Sequence, residues 1–280
     1  MLLLRYSAIL PTLLLIAGAV SSGDRISQPE TARLSRERHG NEAVRISVLY
    51  DNIQYDRRCA TAWGYAALIE RGEHIYLFDT GGDGPTLLGN MRQLGVDLAR
   101  VEAVILSHAH GDHTGGLIDL LRTGIEPPVY LLPSFPAELK SAVARMTEVI
   151  EVAPGQAIGA GVYVTGEVHG TVPEQAAIVT SDSGLVVLTG CAHPGVVTLV
   201  DRAKTLVGES VHLVMGGFHL ASTSSERVES IATDLLGLGF GMVAPSHCTG
   251  EAALAAFGAR FGARFVESGA GRVVLVSGGN

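Results

Sequence analysis

The stretch His108-Ala109-His110-Gly111-Asp112-His113 constrains this chain more than any other. It packs three imidazoles and one carboxylate into six residues, directly after the apolar run 101–106. That run contains Val104, Ile105 and Leu106 and reads as a buried strand. Gly111 and the following Gly115-Gly116 read as the turn before a helix. Nitrogen and oxygen donors gathered at a strand end suit a borderline cation such as zinc. His108 and His110 fall on one face of extended backbone, so both can reach one ion. Asp112 and His113 lie past the bend and can reach a second.

Composition sets the frame around this motif. The chain has 280 residues, 47% hydrophobic and 17% charged, enough for one sizeable core or two small ones. A net charge of -8 without any Lys/Arg-rich run argues against a nucleic-acid partner. A small-molecule substrate is the expectation, with the oligomeric state open. Residues 1–20 carry Arg5, an apolar run over 9–20 and Ala17-Gly18-Ala19, followed by polar residues from Ser21. That is the order of a secretory signal peptide. The expected map is a signal peptide over 1–22, a polar linker over 23–42 and a folded domain over 43–280, in an exported protein, periplasmic or secreted. The apolar run falls short of the about 20 residues a spanning helix needs. Left uncleaved it would be an N-terminal anchor, and only then is a membrane a partner. Cys59, Cys191 and Cys248 imply no disulfide framework. Cys191 and Cys248 each share a motif with a His, so a thiol near metal and a buried inert thiol both stand.

Apolar periodicity alternates strands with helices. Strands are expected over 44–50, 64–70, 74–79, 103–107, 128–132, 162–165, 176–180, 185–189, 211–215, 242–245 and 272–277. Helices are expected over 87–94, from 117, and over 137–146, 196–207, 225–238 and 252–261. This is a layered α/β domain. Asp79 ends an apolar strand before Thr80-Gly81-Gly82, where a carboxylate can orient a metal-bound His through its other ring nitrogen or simply form the turn. His219, in Gly216-Gly217-Phe218-His219-Leu220, can contact substrate or serve as an acid, or be structural.

The His-x-His-x-Asp-His loop, with Phe78-Asp79-Thr80-Gly81 before it and Pro245-Ser246-His247-Cys248 after it, resembles the metallo-beta-lactamase superfamily from about Ile46 to the C-terminus. Thr189-Gly190-Cys191-Ala192-His193-Pro194-Gly195, the His219 segment and His247-Cys248-Thr249-Gly250 resemble its branch of dihydropterin-methyl-aminobenzene phosphate synthases. The resemblance implies an αββα four-layer sandwich with two divalent ions, zinc by preference, at one rim. It implies His108, His110, Asp112, His113 and His247 as metal ligands. Many members carry an Asp at the place of Cys191, so its bridging role is in doubt. His193 and His169 compete for one place on the first ion, and His193 is preferred because a turn closing a strand holds it more rigidly.

The expected activity follows. A metal-bound hydroxide, oriented by Asp112, would hydrolyse a small ester, lactone or phosphoester. No Ser nucleophile elbow and no phosphate-cradling Lys loop appears. A redox or sensing member that binds metal without hydrolysis is the alternative. Beta-lactam hydrolysis is another, disfavoured by the Cys191 and His219 segments.

Overall fold

Two sheets, each built around a run of parallel strands, carry the chain. The computed structural model describes residues 43–239 and 241–276. The expected signal peptide and linker lie outside the described residues, as do the last residues of the expected domain. Among the described residues no helix is long and apolar enough to cross a membrane.

The first half runs β1 (Val44–Tyr50), β2 (Ala66–Arg71), β3 (His74–Phe78), α1 (Gly84–Gln93), β4 (Val101–Ile105), α2 (Gly111–Thr114), α3 (Leu117–Leu121), β5 (Val129–Leu131), α4 (Ala137–Val143) and β6 (Val149–Glu151). The second half runs β7 (Ala157–Gly159), β8 (Val162–Val164), β9 (Ala177–Val179), β10 (Leu185–Thr189), α5 (Val196–Val207), β11 (Val211–Gly217), α6 (Ser225–Gly237), β12 (Met242–Ser246), α7 (Glu251–Phe261) and β13 (Val273–Val276). One sheet is ordered β13-β1-β2-β3-β4-β5-β6, the other β12-β11-β10-β9-β8-β7. β3 and β4 run parallel, as do β10, β11 and β12. Their C-terminal ends therefore lie side by side, and the loops leaving them carry the candidate site.

Side-chain alternation gives the second sheet two buried faces. Val186 and Leu188 of β10 join Ile46, Leu77 and Val104 of the other sheet in one core. Leu185 and Val187 of the same strand join Leu199 and Val200 of α5 and Leu235 of α6 in a second. Each such side chain contributes about 1.5–3 kcal/mol on burial. Sheet on sheet with helices outside is the αββα layering.

Local chemistry sets the element ends. α1 starts before the expected 87 because Asp83 caps it, accepting the Thr86 N–H at 2.8 Å, and Pro85 fits the first turn. α4 ends at Val143, short of 146, where the chain turns and Thr147 donates its hydroxyl to the Glu126 and Pro127 carbonyls. β6 and β7 bury none of their three residues fully, so they lack the apolar run that marks the equally short β5, β8 and β9.

Candidate metal centre

β3, β10, β11 and β12 are each followed by a residue in left-handed backbone, whereas β4 runs into its His-rich loop without one. Asp79 follows β3 with φ 58°, Ala192 follows β10 with φ 60°, His219 follows β11 with φ 52° and His247 follows β12 with φ 49°. Left-handed backbone at a non-glycine residue costs on the order of 1–3 kcal/mol, and such residues cluster at functional sites.

The loops after these strands assemble two adjoining sets of donors. His108, His110 and His193 form the first; Asp112, His113, Cys191 and His247 form the second, and within each the donor atoms lie within 4.8 Å of one another. His108 Nε2 is 3.1 Å from His110 Nδ1, and His113 Nε2 is 3.2 Å from Cys191 Sγ. The His108 and His113 ring centroids, one from each set, are 4.2 Å apart. Asp112 Oδ2 lies 3.4 Å from His247 Nε2 and 3.7 Å from His113 Nε2.

Hydrogen bonds fix the far side of these rings. Asp79 accepts from the Ser107 backbone N–H, from the Ser107 hydroxyl and from His113 Nδ1, each at 2.7 Å. Ser107 Oγ also lies 2.9 Å from His108 Nδ1. Asn52 Oδ1 is 2.8 Å from His247 Nδ1. A bond of this kind sets the tautomer and aims the other nitrogen inward. The buried Glu174 carboxylate accepts the backbone N–H groups of Gly190, Cys191, Ala192 and His193 at 2.8–3.0 Å. One side chain thus shapes the loop that carries two donors.

Electrostatics prepares His108, His193 and Asp112 for ligation. Burial, then the neighbouring imidazoles of His113, His193 and His110, push His108 far down, so its ring is neutral. Burial and the rings of His219 and His110 push His193 down to about 4. Burial works against charge on Asp112, but His247 and His113 outweigh it and hold the carboxyl below its usual range. Neutral imidazoles and an ionised carboxylate are the forms that bind metal. The Nε2 atom of His193 is buried without a hydrogen-bond partner, a costly state for a polar atom. About a tetrahedral zinc, donors stand roughly 3.3–3.8 Å apart. Both sets need only a small contraction to fit a divalent ion.

The structure therefore brings together His108, His110, Asp112, His113, His193 and His247, with Cys191 as a seventh donor. Asp79 sits behind the rings as its position suggested. His169 stands apart, its side chain 87% exposed and 3.8 Å from Glu167. His219 lies at the rim with its ring 4.3 Å from that of His193. Glu174, Ser107 and Asn52 are additions to the expected set. All three cysteines are free thiols.

The sequence model of the metallo-beta-lactamase superfamily matches residues 64–223. The chain belongs to that superfamily. Superfamily members typically bind divalent metals, and the two donor sets here are of that kind. The chain is 28% identical over 244 residues to 7,8-dihydropterin-6-methyl-4-(beta-D-ribofuranosyl)-aminobenzene-5'-phosphate synthase of Methanocaldococcus jannaschii, spanning 71% of this chain and 83% of that protein. Among solved structures, a metal-dependent hydrolase of the beta-lactamase superfamily matches with a TM-score of 0.72 and 28% identity, over 84% of this chain and 99% of that one. The metallo-beta-lactamase fold protein YhfI of Bacillus subtilis matches in fold, with a TM-score of 0.62 and 18% identity, over 84% of this chain and 100% of its own.

Proposed function

We propose that this superfamily member is an exported enzyme that uses two divalent ions, zinc by preference, to hydrolyse a small ester, lactone or phosphoester. The observation that carries the reading is the pair of adjoining donor sets, with a buried Nε2 on His193 that has no hydrogen-bond partner. His108, His110 and His193 would hold one ion, and Asp112, His113, Cys191 and His247 the other. Bound divalent ions supply Lewis acidity and lower the pKa of water towards neutral. The chain's own groups do the rest. Asp112, ionised and with its side chain 21% exposed, orients the attacking water. Asp79 and Asn52 hold the His113 and His247 rings so that no reorganisation is needed during reaction. Ser107 is no nucleophile, because its buried hydroxyl is spent on Asp79. Export rests on the N-terminal order of charged, apolar and small residues.

One observation favours a second reading. Trp63 is 58% exposed, and its ring centroid lies 4.8 Å from that of His247. An indole there can stack a flat ring, such as the dihydropterin in the archaeal relative's name. The same rim would then form a bond from a dihydropterin methyl carbon that carries a phosphate-type leaving group to an aminobenzene partner, with the leaving group and a proton released, instead of cleaving an ester. Purified protein assayed against lactones, phosphodiesters, beta-lactams and a phosphate ester of a dihydropterin methanol with an aminobenzene phosphate separates the two. Hydrolysis of an ester or phosphoester supports the first reading. Joining without hydrolysis supports the second.

A further inference from the structure

Beside the two donor sets lies a third group of ligand atoms. Cys191, His219 and Cys248 each place one within 4.8 Å of the others. Cys191 also belongs to the second set, whereas His219 and Cys248 belong to neither. The three residues leave the C-terminal ends of β10, β11 and β12, the parallel run at the heart of the second sheet.

Local structure makes room for this group. A Cβ on Gly217 would stand 2.4 Å from the Gly190 carbonyl oxygen, 2.7 Å from Cys248 Sγ and 3.2 Å from Cys191 Cα. A side chain at Gly217 would therefore push the two cysteines out of place. The backbone pays for the arrangement with left-handed geometry at His219, φ 52°. Cys248 is buried, and its sulfur approaches the Cys191 carbonyl at 3.7 Å and meets the Cys191 thiol and the His219 ring.

We propose that Cys191, Cys248 and His219 form a thiolate site for a soft divalent ion, joined to the His-rich sets through Cys191. Two cysteines and one histidine with a fourth position free is an arrangement that zinc enzymes use. Thiolate ligands favour zinc and cobalt over magnesium and manganese. Binding forms two metal–sulfur bonds; Cys248 gives up its thiol proton to solvent, and Cys191 gives up its own once, to whichever of its two ions binds first. His219 then acts as a ligand instead of a free acid. The assignment does not depend on what the enzyme hydrolyses.

Cobalt(II) titrated into the metal-free full chain, under a non-chelating reductant, tests this without any turnover. The readouts are bound cobalt by elemental analysis and the near-ultraviolet sulfur-to-cobalt absorption. Cys248→Ser should bind about one equivalent fewer than the parent and lose about two-thirds of that absorption, since two of three sulfur–cobalt bonds go. His110→Ala should lose cobalt from the first set while the sulfur band stays. Should Cys248→Ser fail to fold, His219→Ala, altered at an exposed ring, should show the same lost equivalent. Unchanged stoichiometry and an unchanged band in both Cys248→Ser and His219→Ala would overturn the site. A Cys191–Cys248 disulfide recovered from the reduced, titrated protein would overturn it equally. A hydrolysis assay that fails while cobalt still binds in this pattern would count against the proposed activity alone.

Discussion

Glu174 Oε2 accepts the backbone N–H of His193 at 2.8 Å, while Oε1 of the same carboxylate accepts that of Cys191 at 3.0 Å. The residue that orders this loop is neither a donor nor at the rim. It is fully buried, and its whole hydrogen-bonding capacity goes to consecutive amides after β10. Glu174→Gln keeps the volume but turns an amide NH2 towards donors. It should destabilise the metal-free protein by about 2–4 kcal/mol, the scale of lost bonds to a charged group. It should also weaken metal retention by about 10-fold or more, as loss of an orienting partner does. Urea unfolding and zinc content after mild chelation measure the two effects. Parent values in both would remove Glu174 from the account.

The two candidate histidines for the first donor set can be told apart directly. His193→Ala should lower zinc affinity by about 10-fold or more, a loss of the size that even an orienting partner produces. His169→Ala should change it little, because that ring is in solvent. Zinc content of both variants after the same mild chelation decides. The reverse pattern would move His169 into the site.

The His108 to His113 motif was legible because its donors are local, within one strand end and one turn. The alternating strands and helices were legible because their apolar faces repeat within a few residues. His193, His247 and Cys191 were legible as candidates from the motifs around them, but only folding shows which set each joins. Asn52 and Glu174 were not, for the same reason: their partners are remote. Asn52 and His247 are separated by 195 residues, and no local pattern marks an Asn at the end of β1. Glu174 precedes a short strand, and its role appears only once β10 lies alongside. β6 and β7 bury no residue fully, so no apolar run marks them as one marks the equally short β8 and β9.

Asp51 supplies a pH dependence of stability. It is fully buried with one oxygen lacking a partner, and burial raises its carboxyl from 3.8 to about 6. A carboxyl that is easier to protonate in the folded chain stabilises it fully below the unfolded pKa. That contribution is lost as pH rises through the folded value. The difference of about 2 units corresponds to about 3 kcal/mol at most. Asp51 should therefore take stability from the metal-free protein between about pH 4 and 6, against the rise that the depressed His108 and His193 contribute over the same range. Asp51→Asn, similar in shape and uncharged, should flatten that part of the profile. Urea midpoints of both proteins across this range measure it, and parallel profiles would contradict the assignment.

The central claim is that the paired donor sets hold divalent metal and that hydrolysis depends on it. The most direct test follows phosphodiester and lactone hydrolysis by one preparation, assayed for metal as isolated, after chelation and after zinc is returned, with His110→Ala alongside. Zinc-type metal is expected in the isolated protein, with activity lost on chelation and regained with zinc, and a folded His110→Ala that is inactive throughout. Activity that persists in the metal-free protein or in His110→Ala, or two irons with a visible absorption band and no hydrolysis, would contradict it.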